Sequence, residues 1–352
     1  MNALHRITHA AAHSPDWNDL IEQQKPRLLR KSHHPLVAEP VRESHWENAL
    51  LAPAREILAR PGKAIRASLV GAGYALVRPG ELPPLSALAL VEILHSGSLV
   101  VDDIEDDSPV RRGGRAVHRI FGVPAALNSA NWMYFLAVDQ IDQMALSPEL
   151  ALALHRRVNQ TLLDCHRGQA LDLGMRIGEV ARGEIPSLVA ETTLLKTGAL
   201  TALAMAVGAL VAGATDEQVA CAERFGRDLG LALQQLDDMG NLASKSAGRK
   251  RHEDLHHGRL TWPWAWAAET LDALSFARLE AAAISVRETR QGGRPNTTAL
   301  AARLMEIAGP LRRNFVANQL RRSLTDVGAL FGEGSAVADL AAQVRLLEDS
   351  YV

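Results

Sequence analysis

Val91 to Arg115 reads VEILHSGSLVVDDIEDDSPVRRGGR, an apolar run that stops in five carboxylates within six residues and passes at once to the paired Arg111 and Arg112. Upstream, Leu85, Leu88, Val91 and Leu94, followed by Ser98 and Leu99, recur at the spacing of one helix face. On such a helix Asp102, Asp103 and Asp106, at positions i, i+1 and i+4, gather over a single turn. Like charges that close repel, so a helix end bearing them is costly unless a multivalent cation is bound. Hard carboxylate oxygens favour Mg²⁺, which shares its coordination shell with substrate phosphates.

The pattern recurs in LALQQLDDMGNLA, where Asp237, Asp238 and Asn241 close another apolar helix. A solvated acidic helix end accounts for either cluster alone but poorly for both, because each is followed by cations. Arg111 and Arg112 follow the first; Lys245, Arg249, Lys250, Arg251 and Arg259 follow the second. Guanidinium groups grip phosphate oxygens bidentately and lysine adds a point charge, so two such faces describe a diphosphate pocket. PGKAIR adds Lys63 and Arg66, three residues apart, a spacing that surface charge alone would also explain. His95 stands seven residues before Asp102, about 10.5 Å along the same helix face. It reads either as a satisfied core histidine or as part of the site.

The rest of the chain sets the frame. Its 352 residues are 47% hydrophobic and 22% charged with a formal net charge of −2, ordinary globular values that give no overall drive toward nucleic acid or an anionic membrane. Two cysteines, Cys165 and Cys221, make neither a disulfide framework nor a zinc site and suit a reducing compartment. No secretory signal is evident at the N-terminus, so a cytoplasmic location is expected. TGALTALAMAVGALVAGAT, residues 197–215, is uncharged, yet its Ala, Gly and Thr content suits a buried helix better than a membrane span. Strand alternation is nearly absent and Pro/Gly pairs punctuate helix ends, which predicts an all-α fold. Residues 1–45 are expected to form an N-terminal extension, helical or partly ordered, and 46–352 one helical domain.

From about Leu50 to Ala268 the sequence resembles the trans-isoprenyl diphosphate synthases, particularly geranylgeranyl diphosphate synthases of the eukaryotic type. PGKAIR, DDIEDDSPVRRGGRAVHRIFGVPAALNSANWMYFLAV, GQALDL, KTGAL, LQQLDDMGNL and EDLHHGRLTWP occur in that family's order. The resemblance implies a single large helical bundle of the isoprenoid synthase type with a central substrate cavity, assembled as a homodimer, with three Mg²⁺ per active site. By position, Asp102, Asp103 and Asp106 would bind Mg²⁺ on an allylic diphosphate, and Asp237 and Asp238 a further Mg²⁺, with Asn241 where many relatives have Asp. Lys63, Arg66, His95 and Arg112 would bind isopentenyl diphosphate. Arg111, Lys196, Thr197, Gln234, Lys250 and Arg259 would hold the allylic diphosphate or steady developing charge. Gln169 and Asp172, from GQALDL, would complete the site with less defined roles.

Two departures stand out. The Phe that the family places before Gln234 is Leu233 here, and Arg259 replaces the usual Lys. Gly97 and Ser98, five and four residues before Asp102, leave that level open rather than blocked by an aromatic ring. In the family bulky residues there go with fifteen-carbon products, so a chain of at least twenty carbons is expected here, geranylgeranyl diphosphate above all; alternatively the two small residues simply allow close helix packing. The competing functions are a cyclase of the same fold and a non-catalytic partner subunit. Retention of Lys63, Arg66, His95 and Arg112 argues against the first, and both acidic clusters argue against the second.

Overall fold

A computed structural model of the chain describes residues 17–30, 39–62, 64–243, 252–290 and 297–350. Almost all regular structure in them is helical, and among the described residues the only paired strands are Val110–Arg111 and Gly114–Arg115. The contacts divide the chain into two compact units. The first comprises residues 1–158 with 204–215, the second residues 159–203 with 216–352.

In the first unit the helix Leu85–Glu105 is central, packing on Ile65–Val77, on Ala52–Leu58 and most extensively on Val123–Asp139. Pro84 precedes its first turn, and Leu90, Ile93 and Leu94 are fully buried together with Ile57 and Met133. Each such side chain contributes about 1.5–3 kcal/mol by leaving water. The Ala/Gly-rich segment also has a packing reason: a Cβ on Gly73 would overlap the Met205 carbonyl, and one on Gly208 the Val70 carbonyl, so only glycine allows the two backbones to approach. Leu85–Glu105 and Arg182–Val211 are long and apolar enough to cross a membrane, but 61% and 72% of their apolar windows lie buried inside the protein. Part of the N-terminal extension is ordered: the helix Trp17–Glu22 packs on Ala52–Leu58 and buries Trp17, Leu20 and Ile21.

The second unit is built on Asp216–Ala243, which lies along the long helix Thr298–Phe331, with Trp262–Thr270 against both. Its core joins Ile177, Ile185, Met239, Trp264, Phe276 and Leu304. Between Ile185–Thr193 and Ala199–Val211 the chain passes through one π-helical turn, Leu194–Gly198, without leaving the helix. Cys165, half-buried, and Cys221, buried, form no disulfide.

Candidate active site

Each unit carries one acidic helix end. In the first, Leu85–Glu105 stops because Asp107 turns left-handed at φ 53°, and Asp107 and Ser108 donate their backbone N–H groups to the carbonyls of Ile104 and Asp103. The carboxylates therefore sit at the negative end of the helix dipole, where they are least welcome. Arg111 offsets part of that cost. Its guanidinium lies 3.0 Å from Asp102 and 2.6 Å from the fully buried Asp103, and its Nε donates to Asp103 Oδ1 at 2.8 Å. Asp106 stands half-buried one turn on.

Beside this end lies a second group of cations. Arg112 reaches Glu92 at 3.5 Å, and the other oxygen of this buried carboxylate has no hydrogen-bond partner. Burial holds the His95 imidazole well below its usual range, and the charges of Arg66, Arg112 and Arg111 push it the same way. His95 is therefore a neutral hydrogen-bonding group among arginines, a surrounding that suits an anion and not another cation. Lys63 and Lys250, the other expected cations, lie outside the described residues, as do Lys245, Arg249 and Arg251.

Ser98 is half-buried and its hydroxyl donates to the His95 carbonyl at 2.8 Å. Gly97 instead faces the Val123–Asp139 helix, where a Cβ would lie 3.0 Å from the Ala130 carbonyl and 3.2 Å from Met133. Of the two readings of Gly97, close helix packing is the one the geometry supports.

In the second unit, Asp172, Lys196, Thr197, Gln234, Asp238, Asp254 and Arg259 line one cavity of about 90 Å³, with room for a few waters or a hydrated ion. Lys196 and Thr197 ride on the π-helical turn. Lys196 Nζ is 2.8 Å from Asp172, and Arg259 stands 3.8 Å from both Asp172 and Asp254. A backbone bridge between Arg176 and Arg259, closed by Ile177 N–H donating to the Gly258 carbonyl at 2.9 Å, fixes Arg259 against this wall. Thr197 donates to Gln234 at 2.8 Å, Gln234 donates to Asp238 at 2.8 Å, and the Trp262 backbone N–H donates to the other Asp238 oxygen at 2.9 Å. Gln169 is half-buried nearby on the same helix as Asp172.

Burial is also the main reason that the Asp238 carboxyl titrates well above the ordinary range, with Asp254 and Asp237 adding repulsion and the Trp262 and Gln234 donors opposing it. Asp254 is raised to about 6, first by burial and then by Asp172 and Glu253, with Arg259 and Lys196 pulling it down. Asp237, one residue before Asp238, is exposed.

These donor sets fit magnesium. All are hard oxygens, and the buried Oδ1 of Asn241, at the position expected to complete the second cluster, has no hydrogen-bond partner. Among the described residues no three His, Cys, Asp or Glu side chains converge as a preformed cage. That is the arrangement Mg²⁺ favours when it takes one or two carboxylates and fills its shell with water and substrate phosphate. Glu92 and Asp254 had not been singled out from sequence. The available signals were a carboxylate inside the apolar run ALVEIL, three residues before His95, and an acid five residues before Arg259.

Residues 47–290 match the family model described as polyprenyl synthetase. The chain belongs to the polyprenyl synthetase family. Membership makes it a trans-prenyltransferase. Among curated relatives it is 33% identical over 236 residues to geranylgeranyl pyrophosphate synthase 2 of Zymoseptoria tritici, covering 65% of this chain and 68% of that protein. It is 31% identical to a short chain isoprenyl diphosphate synthase of Methanothermobacter thermautotrophicus, covering 66% and 72%. Its fold matches that of geranylgeranyl pyrophosphate synthetase from Pyrococcus horikoshii with a TM-score of 0.73 at 21% identity, over 98% of this chain and 97% of that one. The all-α isoprenoid synthase fold expected from the sequence is thus the fold found.

Proposed function

We propose that this family member condenses isopentenyl diphosphate with an allylic diphosphate, and that its product is geranylgeranyl diphosphate. One observation carries the reading: Arg66, neutral His95 and Arg112 gather beside the first aspartates, a cluster suited to an anion and separate from the carboxylates that would hold metal. A cyclase ionises one diphosphate and has no need of a second anion group. Asp102, Asp103 and Asp106 would hold Mg²⁺ on the allylic diphosphate, and Asp237, Asp238 and Asn241 would hold a further ion; the expected complement across the whole site is three. Bound there, Mg²⁺ would neutralise charge growing on the departing diphosphate.

The protein's own part is positioning and electrostatics. Arg66, His95, Arg112 and Lys63 would fix isopentenyl diphosphate, and Arg111 would bridge from the aspartates to the allylic diphosphate. Lys196, Thr197 and Gln234 present a cation and two aligned dipoles, already ordered by the hydrogen bond from Lys196 to Asp172 and by those running from Thr197 through Gln234 to Asp238. Groups held in place before reaction stabilise developing charge without reorganising. The attacking double bond belongs to the second substrate, so no side-chain nucleophile is required. A cytoplasmic location and a homodimer are part of the same reading. In support of the dimer, Val123, Leu127 and Phe135 form an exposed apolar stripe on one helix face, Phe135 at 74% exposure. A Phe135→Glu variant sedimenting like the parent protein would remove that support.

Incubation with Mg²⁺, isopentenyl diphosphate and dimethylallyl, geranyl or farnesyl diphosphate, followed by mass analysis, is the test. A twenty-carbon diphosphate is expected. A hydrocarbon would favour the cyclase, and no turnover the partner subunit.

A further inference from the structure

Arg111 and Arg112 are presented by a tight hairpin whose geometry calls for an explanation. Val110 pairs with Arg115 and Arg111 with Gly114, leaving a two-residue turn of Arg112 at φ 47° and Gly113 at φ 78°. Both are left-handed, the mirror-image turn that suits the twist of two strands and that Asn-Gly normally fills. Arginine is a poor occupant of the first position, since its Cβ is crowded there. Something must hold it.

Arg60, 51 residues earlier than Arg111, is placed to do so. Its Nη1 donates to the Arg111 carbonyl at 2.8 Å and its Nη2 to the Arg115 carbonyl at 2.6 Å, one on each strand of the hairpin. Glu56, one helical turn back, receives Nε at 3.1 Å and Nη2 at 2.7 Å and so fixes the plane of the guanidinium. The Arg60 side chain is only 8% exposed. Gly114 leaves room for it: a Cβ there would lie 3.0 Å from the guanidinium carbon. Gly62 does the same for Arg112, whose guanidinium carbon a Cβ would meet at 2.9 Å.

We propose that Arg60 is a positioning residue: by stapling the two strands through the Arg111 and Arg115 carbonyls it keeps Arg112 left-handed, so that Arg111 is aimed at Asp102 and Asp103 and Arg112 at the Glu92–His95 group. Arg60 touches no expected substrate and acts through its neighbours. The inference rests on the assignment of those two arginines to diphosphate binding. Lysine cannot replace it fully, because one ammonium lacks the planar fork that spans two carbonyls.

Four proteins decide the matter: Arg60→Ala, Arg60→Lys, Arg112→Ala and the Arg60→Ala/Arg112→Ala double variant. Loss of two hydrogen bonds should raise KM for isopentenyl diphosphate about tenfold in Arg60→Ala while kcat changes less than about threefold. Arg60→Lys should recover part of the loss. In the Arg112→Ala background, removal of Arg60 should add little to the KM for isopentenyl diphosphate, since the group it positions for that substrate is gone. Two measurements stand apart from turnover: calorimetric titration of inorganic pyrophosphate with Mg²⁺, and amide hydrogen exchange of residues 108–118. Arg60→Ala should weaken the first and accelerate the second. Gly114→Ala, which pushes the guanidinium off the strand, should reproduce both if Arg60→Ala does not fold. Unchanged exchange and pyrophosphate affinity, or a penalty that persists in full without Arg112, would overturn the proposal. A parent protein that makes no prenyl diphosphate would instead reject the substrate assignment and leave these two measurements to judge the staple.

Discussion

The two acidic helix ends look alike in sequence and are prepared differently in the fold. At the first, Asp102 and Asp103 are paired with Arg111, at 3.0 and 2.6 Å. At the second, Asp238 accepts hydrogen bonds from the neutral groups Gln234 and Trp262 N–H, is buried, and titrates well above the usual carboxylate range. A resident cation offsets the charge at one end, and at the other burial pushes the carboxyl toward holding its proton. The first end can receive Mg²⁺ by shifting an arginine toward a phosphate. At the second, a metal ion would work against that upward shift, so metal binding there should depend on pH.

The largest effects should come from breaking each end in turn. Asp103→Ala and Asp238→Ala should each lower kcat by roughly a thousandfold or more, by removing metal-mediated stabilisation of the leaving group. Their stabilities should diverge. Asp103→Ala strips Arg111 of its closest partner and should cost on the order of 2 kcal/mol, less than for a fully buried pair because Arg111 is partly exposed. Asp238→Asn keeps the shape of a carboxyl whose charged form burial already disfavours and should leave metal-free stability close to that of the parent. Equal losses in urea titrations would mean that the two ends are not differently prepared.

Asp254 sharpens the contrast through pH. Its folded value, about 6, lies above the unfolded value of 3.8, so the folded state binds the extra proton. The stability it contributes is fully present below about pH 4 and is lost as pH rises through about 6, opposite to the usual behaviour of a paired aspartate. Metal-free protein should therefore lose stability across that window, and Asp254→Asn should flatten the slope. At pH 6, Mg²⁺ titrated in two buffers of different ionisation enthalpy should report proton release that the Asn variant reduces; zero release from the parent would contradict the account.

A smaller effect separates Gly97 from Ser98. Ser98→Phe places a ring one turn before Asp102 on the same helix face and should shorten the product chain, as read by mass. Gly97→Ala forces a contact of 3.0 Å on the Ala130 carbonyl and should cost about 1 kcal/mol with the product unchanged. A reversed outcome would move the length-determining position to Gly97.

Much of this was legible in the chain. Helical periodicity gave the all-α class, and Asp102, Asp103, Asp106, Asp237 and Asp238 declared themselves because clustered charge at an apolar helix end is a local signal. Lys196, Thr197 and Gln234 needed the family's motif order, since a Lys-Thr pair in a helix carries no mark of its own. What stayed hidden depends on distant contacts or on burial. Nothing in LARPGK says that Arg60 will meet carbonyls 51 and 55 residues away. Nothing in LDDMGN says that Asp238 will be buried while Asp237 is exposed. Gly97 showed an absent side chain, and only the neighbouring helix shows which gap that absence fills.

The π-helical turn at Leu194–Gly198 restricts how this protein can vary in length. Such a turn is an α-helix carrying one surplus residue. Deleting one of its five positions would restore ordinary winding with the flanking helices close to their present phase, because the wider turn absorbs the surplus residue, while the residues of the turn itself would change place. Val189 and Thr193 would keep their places, but Lys196 and Thr197, which ride on the turn, would lose their present settings opposite Asp172 and Gln234. Neutral insertions and deletions should accordingly collect in the surface connections, and this five-residue count should stay fixed in any functional descendant.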